Sequence, residues 1–188
     1  MKIFRRLVFI PISLILIYFM LPVPSVPPLP DSLKSDEPGD TVQISGVSAY
    51  YTDISRQEVV KFYENAFSRS SFLNLPLPVI VLNHPPEYTR RAIRDTTNAT
   101  FLYELVHPGR DSLFINGWDS AEDPQLKNAK DPTQIINKND RFYQRKVTLR
   151  LMPSSRLLSL LIFTLAIVLS IKILAEARSV YLSFRKKL

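Results

Sequence analysis

Two uncharged apolar runs, Leu7 to Leu21 and Leu157 to Ile171, stand near the two ends of this 188-residue chain and restrict its folding more than any other feature. Each extends by a few tolerable residues toward the roughly 17 to 25 that a bilayer-spanning helix needs. Lys172 falls inside the extended second run, near its end, where its stem can follow the lipid while the ammonium reaches the interface. The stretch between the runs has the composition of a soluble domain. A cleaved secretory leader would account for Lys2, Arg5 and Arg6 ahead of the first run, but "LPVPSVPPLP" follows it where a small-x-small site would be needed. The expectation is an uncleaved anchor.

Charge gives the orientation. The formal net charge is +7, from 24 Lys and Arg against 17 Asp and Glu. Three of the positives (Lys2, Arg5, Arg6) precede the first run, and five (Lys172, Arg178, Arg185, Lys186, Lys187) lie at or beyond the end of the second, with Glu176 the only acid there. That leaves 16 of each sign between Pro22 and Arg156, so the middle of the chain is neutral. Excess positive charge that flanks apolar spans is the positive-inside pattern, not a nucleic-acid footprint. It predicts a two-pass protein of the plasma membrane, with both termini cytoplasmic, the middle extracytoplasmic and no nucleic-acid partner.

The expected parts are a cytoplasmic tail over residues 1–6, a first transmembrane helix over 7–23 and a Pro-rich stalk over 24–40. An extracytoplasmic domain over 41–153 follows, then a second transmembrane helix over 154–174 and a basic amphipathic tail over 175–188. The chain has no cysteine, so the outer domain must be stable without disulfides, which points to a bacterial envelope more than to a eukaryotic secretory compartment.

Within 41–153 the clearest element is the helix of "TDISRQEVVKFYENAF". Ser55 and Glu58 form a capping box, Ile54 and Val59 are spaced as a hydrophobic staple, and Val59, Val60, Tyr63, Ala66 and Phe67 make one apolar stripe. Alternation before it, with a phase change at Gly46, predicts a bulged strand. The run Val79 to Leu82 predicts a strand buried on both faces. A second helix is expected from Pro85 toward Val106, with Tyr88, Ala92, Ala99, Leu102 and Val106 as its stripe. Leu113 to Ile115 reads as a strand ending in an Asn116-Gly117 turn, residues 119–140 as a polar loop, and Val147, Leu149 and Leu151 as a half-buried last strand. The order βαβαββ predicts a two-layer α+β domain, with both helices on one face of a small sheet. Tyr50 to Phe67 resembles the strand-then-helix opening of small, uncharacterised, membrane-tethered extracytoplasmic bacterial domains, a likeness of fewer than 20 residues that implies envelope placement and no catalytic residue.

Chemistry is sparse. His84 and His107 each adjoin a proline and read as helix-terminal residues; cysteine ligands are absent, and no metal or cofactor is expected. Asn116, Asp119, Glu122 and Asp123 offer oxygen ligands, but their spacing matches no calcium loop and the plainer reading is a solvated acidic loop. Arg90, Arg91 and Arg94, with Arg110 beyond, form the one basic cluster of the outer domain and are the candidate anion-binding residues; surface ion pairing is the plainer reading. In the C-terminal tail, Arg178, Tyr181, Phe184, Arg185, Lys186 and Lys187 are the candidates for contact with the membrane surface.

Two functions follow. The first is a non-enzymatic interaction or assembly module that meets the lipid bilayer and either an envelope protein or further copies of itself. The alternative is a receptor or enzyme for an anionic envelope ligand, built on the arginine cluster. A deep pocket with converging charges would favour the alternative, an exposed apolar patch the first.

Overall fold

The computed structural model describes residues 2–37, 40, 46–89, 99–123 and 136–185. It separates into two compact units, one made of the chain ends up to Leu21 and from Ser155, the other of Pro22–Ser154.

The first unit holds α1 (Lys2–Met20) and α3 (Arg156–Arg185), with the rings of Phe19 and Phe163 5.8 Å apart between them. Of the described helices only α3 is long and apolar enough to cross a membrane: 29 residues, Arg156–Phe184, reach a mean hydropathy of 2.6 over an 18-residue window. The described apolar part of α1, Ile10–Met20, is shorter than a span.

The second unit is α+β, built on a large antiparallel sheet. Its elements are β1 (Ser32–Lys34), β2 (Val47–Thr52), α2 (Arg56–Phe67), β3 (Ile80–His84), a 3-10 turn (Pro86–Tyr88), β4 (Phe101–Val106), β5 (Ser112–Asp119), β6 (Ile136–Lys138), β7 (Arg141–Tyr143) and β8 (Arg145–Met152). Six strands form one sheet in the order β1-β2-β8-β5-β4-β3, and β6 pairs with β7 in a separate hairpin.

The capping box forms as the residues dictate: the Ser55 hydroxyl accepts from the Glu58 N–H, and the Glu58 carboxylate accepts from the Ser55 N–H at 3.1 Å. α2 then buries Val59, Tyr63 and Phe67. These pack with Tyr50 of β2, Phe101 and Leu105 of β4, Leu113 and Ile115 of β5, and Val147 and Leu149 of β8 into one core. Each such side chain contributes about 1.5–3 kcal/mol on burial, against about 0–1 kcal/mol for an exposed ion pair. Burial, not the charges on its outer face, holds α2 in place.

Four expectations are corrected. The order βαβαββ fails because Phe101–Val106, assigned to the second helix, is strand β4. Phe101, Tyr103 and Leu105 alternate onto the core face while Leu102 is buried on the other, and a strand covered on both faces outweighs the helical spacing of Leu102 and Val106. Only the 3-10 turn is seen at the start of that segment, residues 90–98 lie outside the described residues, and among those described α2 is the one α-helix of this unit. The polar loop 119–140 contains β6, paired with β7; residues 124–135 lie outside the described residues. The stalk is part of the folded body, since β1 pairs with β2 and Leu29 is buried in the core. Asn116-Gly117 is not a turn but lies within β5, opposite Leu102 and Phe101.

Gly117 is there for a packing reason. The Phe101 ring lies over it, and a methyl group added at Gly117 would overlap that ring. Gly117→Ala therefore overpacks the core, at about 1–3 kcal/mol. We expect a lower midpoint in thermal unfolding of the full chain in detergent, followed by circular dichroism, with partial recovery when Phe101→Leu is added.

Candidate functional site

Strand polarity gives the sheet two unlike ends. β8 runs toward Ser154, which leads to α3, and β5 begins beside it, with Ser112 opposite Met152. His107 to Asp111, the turn between β4 and β5, lies at this end. Arg110 forms an ion pair with Asp111 at 3.0 Å, both side chains being only 2% exposed. The same guanidinium donates to the Pro22 carbonyl at 3.2 Å, and the other Asp111 oxygen accepts from the Ser154 N–H at 3.3 Å. One buried pair thus holds the first and the last residue of the domain.

His107 completes this end. It follows β4 instead of ending a helix, is fully buried, and stacks on Phe67 with ring centroids 4.0 Å apart and planes 1° from parallel. Its Nε2 faces the Phe67 carbonyl at 2.9 Å, an acceptor, so Nε2 carries the proton. Burial pushes its pKa below the ordinary value, with the Arg110 charge acting in the same direction. The ring is a neutral wedge between the end of α2 and the end of β4.

The opposite end holds a second set of ion pairs. A recess of about 380 Å³ opens there, lined by Arg56, Asn83, His84, Pro85, Pro86, Thr100 and Phe101. Arg56, in the first turn of α2, donates to the Tyr103 hydroxyl at 2.8 and 3.1 Å and to both Glu122 oxygens at 3.0 Å. His84 Nε2 lies 2.9 Å from Glu104. Nearby, Arg145 meets Asp119 at 2.5 Å and donates to the carbonyls of Asp53 and Ile54, which precede the helix cap. Trp118 Nε1 donates to Asp123 at 2.7 Å. The acidic residues that could have served calcium are therefore engaged by Arg145, Arg56 and Trp118. Among the described residues, no group of three His, Asp or Glu converges as a metal site. A ligand entering the recess would have to break an internal pair to reach either ionic group lining it.

Of the candidate anion-binding residues, Arg90, Arg91 and Arg94 lie outside the described residues. Arg110 is buried in its ion pair and bonded to a carbonyl, so it is not presented to an anion. The sequence could not show this, because the partners Pro22 and Ser154 are distant along the chain. In the tail, Arg178, Tyr181 and Phe184 are exposed on α3 and Arg185 is its last residue; Lys186 and Lys187 lie outside the described residues.

The feature missed from sequence is β3. Expected to be buried on both faces, it is the edge strand of the sheet, and Ile80, Val81 and Leu82 are 49%, 39% and 39% exposed. Among the described residues nothing pairs with its outer side. No protein-family model, curated protein or solved structure matches this chain.

Arg110→Ala strands the Asp111 carboxylate in a buried site without its counter-charge, a loss of about 3–5 kcal/mol. In a double-mutant cycle read by thermal unfolding of the full chain in detergent, Arg110→Ala with Asp111→Ala should cost less than the sum of the single changes.

Proposed function

We propose that this chain is a two-pass protein of a bacterial plasma membrane whose outer domain is a non-enzymatic docking module, and that the β3 edge receives an extended segment of another envelope protein. The exposed edge carries this reading. An unpaired edge strand offers a row of backbone donors and acceptors, and a partner that adds a strand gains main-chain hydrogen bonds as well as side-chain contacts. Ile80 and Leu82 fall on one side of that strand and Val81 on the other, so a partner segment would meet apolar surface on both faces.

The membrane placement rests on the apolar length of α3, on the apolar run of α1, and on the basic residues that flank both. It agrees with the resemblance of Tyr50 to Phe67 to tethered envelope domains. The receptor or enzyme alternative has less in its favour, because Arg110 is committed internally and the recess offers paired charges.

A second copy of this chain is the competing occupant, since two identical edges can pair antiparallel about a two-fold axis normal to the sheet.

Topology is testable because the chain has no native cysteine. In intact cells an impermeant maleimide should label Lys61→Cys and should reach Ser183→Cys only after permeabilisation. The docking reading predicts a register: photo-cross-linkers placed singly at Ile80, Leu82 and His84 in native membranes should land on alternate residues of one extended partner segment. Scattered adducts, or adducts only with this same chain, would refute it.

A further inference from the structure

We infer that the hairpin Arg69 to Pro76, between α2 and β3, is a lipid-contacting wedge that inserts Phe72 and Leu73 into the interface of the bilayer to which the domain is anchored. Three observations carry this. The hairpin is closed by its own backbone: Arg69 and Pro76 form a β-bridge, the Ser70 N–H donates to the Leu75 carbonyl at 2.8 Å, and the Leu77 N–H donates to the Ser68 carbonyl at 2.8 Å. Ser70 and Leu77 at its base are buried.

Its tip is apolar where turn chemistry would favour the opposite. Leu73 and Asn74 have φ of 54° and 51°, a left-handed pair of the kind usually filled by Asn and Gly. A leucine adopts this conformation with strain, and here it is 74% exposed, beside Phe72 at 54%. Among the described residues, nothing in the domain covers this apolar tip.

The hairpin also sits at the correct end. The Ser71 hydroxyl donates to the Val23 carbonyl at 3.2 Å, next along the chain from Pro22, which Arg110 holds. Arg110 pairs with Asp111, and Asp111 holds Ser154, the residue before the unit that contains α3. These bonds, all within the domain, place the wedge beside both points where the chain leaves for its apolar helices. A lipid interface lowers the free energy of Phe and Leu side chains that water leaves exposed, so a bilayer is the occupant that fits the apolar tip.

The inference rests on the membrane reading, and its test separates the two. Single cysteines at Leu73, Gln57 and Leu165 are spin-labelled in the full chain, reconstituted in phosphatidylcholine and phosphatidylglycerol vesicles. Collisions with oxygen and with a water-soluble nickel chelate are then compared. Gln57 is exposed at the far end of α2 and serves as the aqueous reference; Leu165 is exposed on α3.

The expected result is that the Leu73 label loses nickel collisions severalfold relative to Gln57 while keeping oxygen collisions. A Leu73 label as open to nickel as Gln57, with Leu165 in lipid, overturns the wedge and leaves the membrane reading standing. A Leu165 label in water defeats both. A Leu73 label shielded from both colliders means that protein covers the tip, which also overturns the proposal.

Discussion

The Arg110–Asp111 pair is the constraint on which the arrangement of this domain depends. A buried ion pair stabilises little by itself, since desolvation of both groups offsets most of their attraction. Its effect here lies in geometry. The guanidinium and the carboxylate are adjacent in sequence and supported by their own turn, and each has a further valence directed to a chain terminus of the domain. A charge that would be costly to leave unpaired fixes Pro22 and Ser154 to one place on one end of the sheet. Apolar packing could not supply that positional specificity, because it does not distinguish one backbone group from another.

The far end uses charge differently. Arg56 and Arg145 each bridge α2, or the residues just before it, to groups on or just beyond the strands, Arg56 through Tyr103 and Glu122 and Arg145 through Asp119. On the second face of the sheet, Lys138 and Lys146 lie 5.6 and 5.7 Å from the Tyr51 ring centre and pair with Glu37 and Asp40. The bond to Lys138 holds the Glu37 carboxyl below its usual range. The described charged groups mostly join segments to the sheet, and that use explains why no group of three His, Asp or Glu among them converges as a metal site.

Legibility in the sequence followed the range of the interaction. The capping box, the stripe of α2 and the alternation of β8 are set by residues within a few positions of one another, and all three appear where the spacing puts them. β4 escapes a reading by alternation because "FLYELV" is largely apolar on both faces, which removes the pattern that marks a strand. Gly117 mimics turn chemistry in the sequence because its reason is Phe101, a neighbour only once β4 and β5 pair. The apolar run of β3 gave the composition of a central strand, and nothing local to Ile80 or Leu82 encodes whether a further strand lies outside them. The same limit hid the role of Arg110, whose partners enclose nearly the whole domain.

An exposed apolar edge is ordinarily a hazard, since it invites pairing with any strand of matching polarity, including its own copies. Proteins commonly blunt such edges with lysine, proline or a bulge, and β3 has none of these within Ile80–His84. Prolines flank it instead: Pro78 lies two residues before Ile80 and Pro85 follows His84, so the row of backbone donors is interrupted on both sides of the strand. A five-residue edge bounded in this way limits the length of any strand that adds to it, whether from another protein or from a second copy.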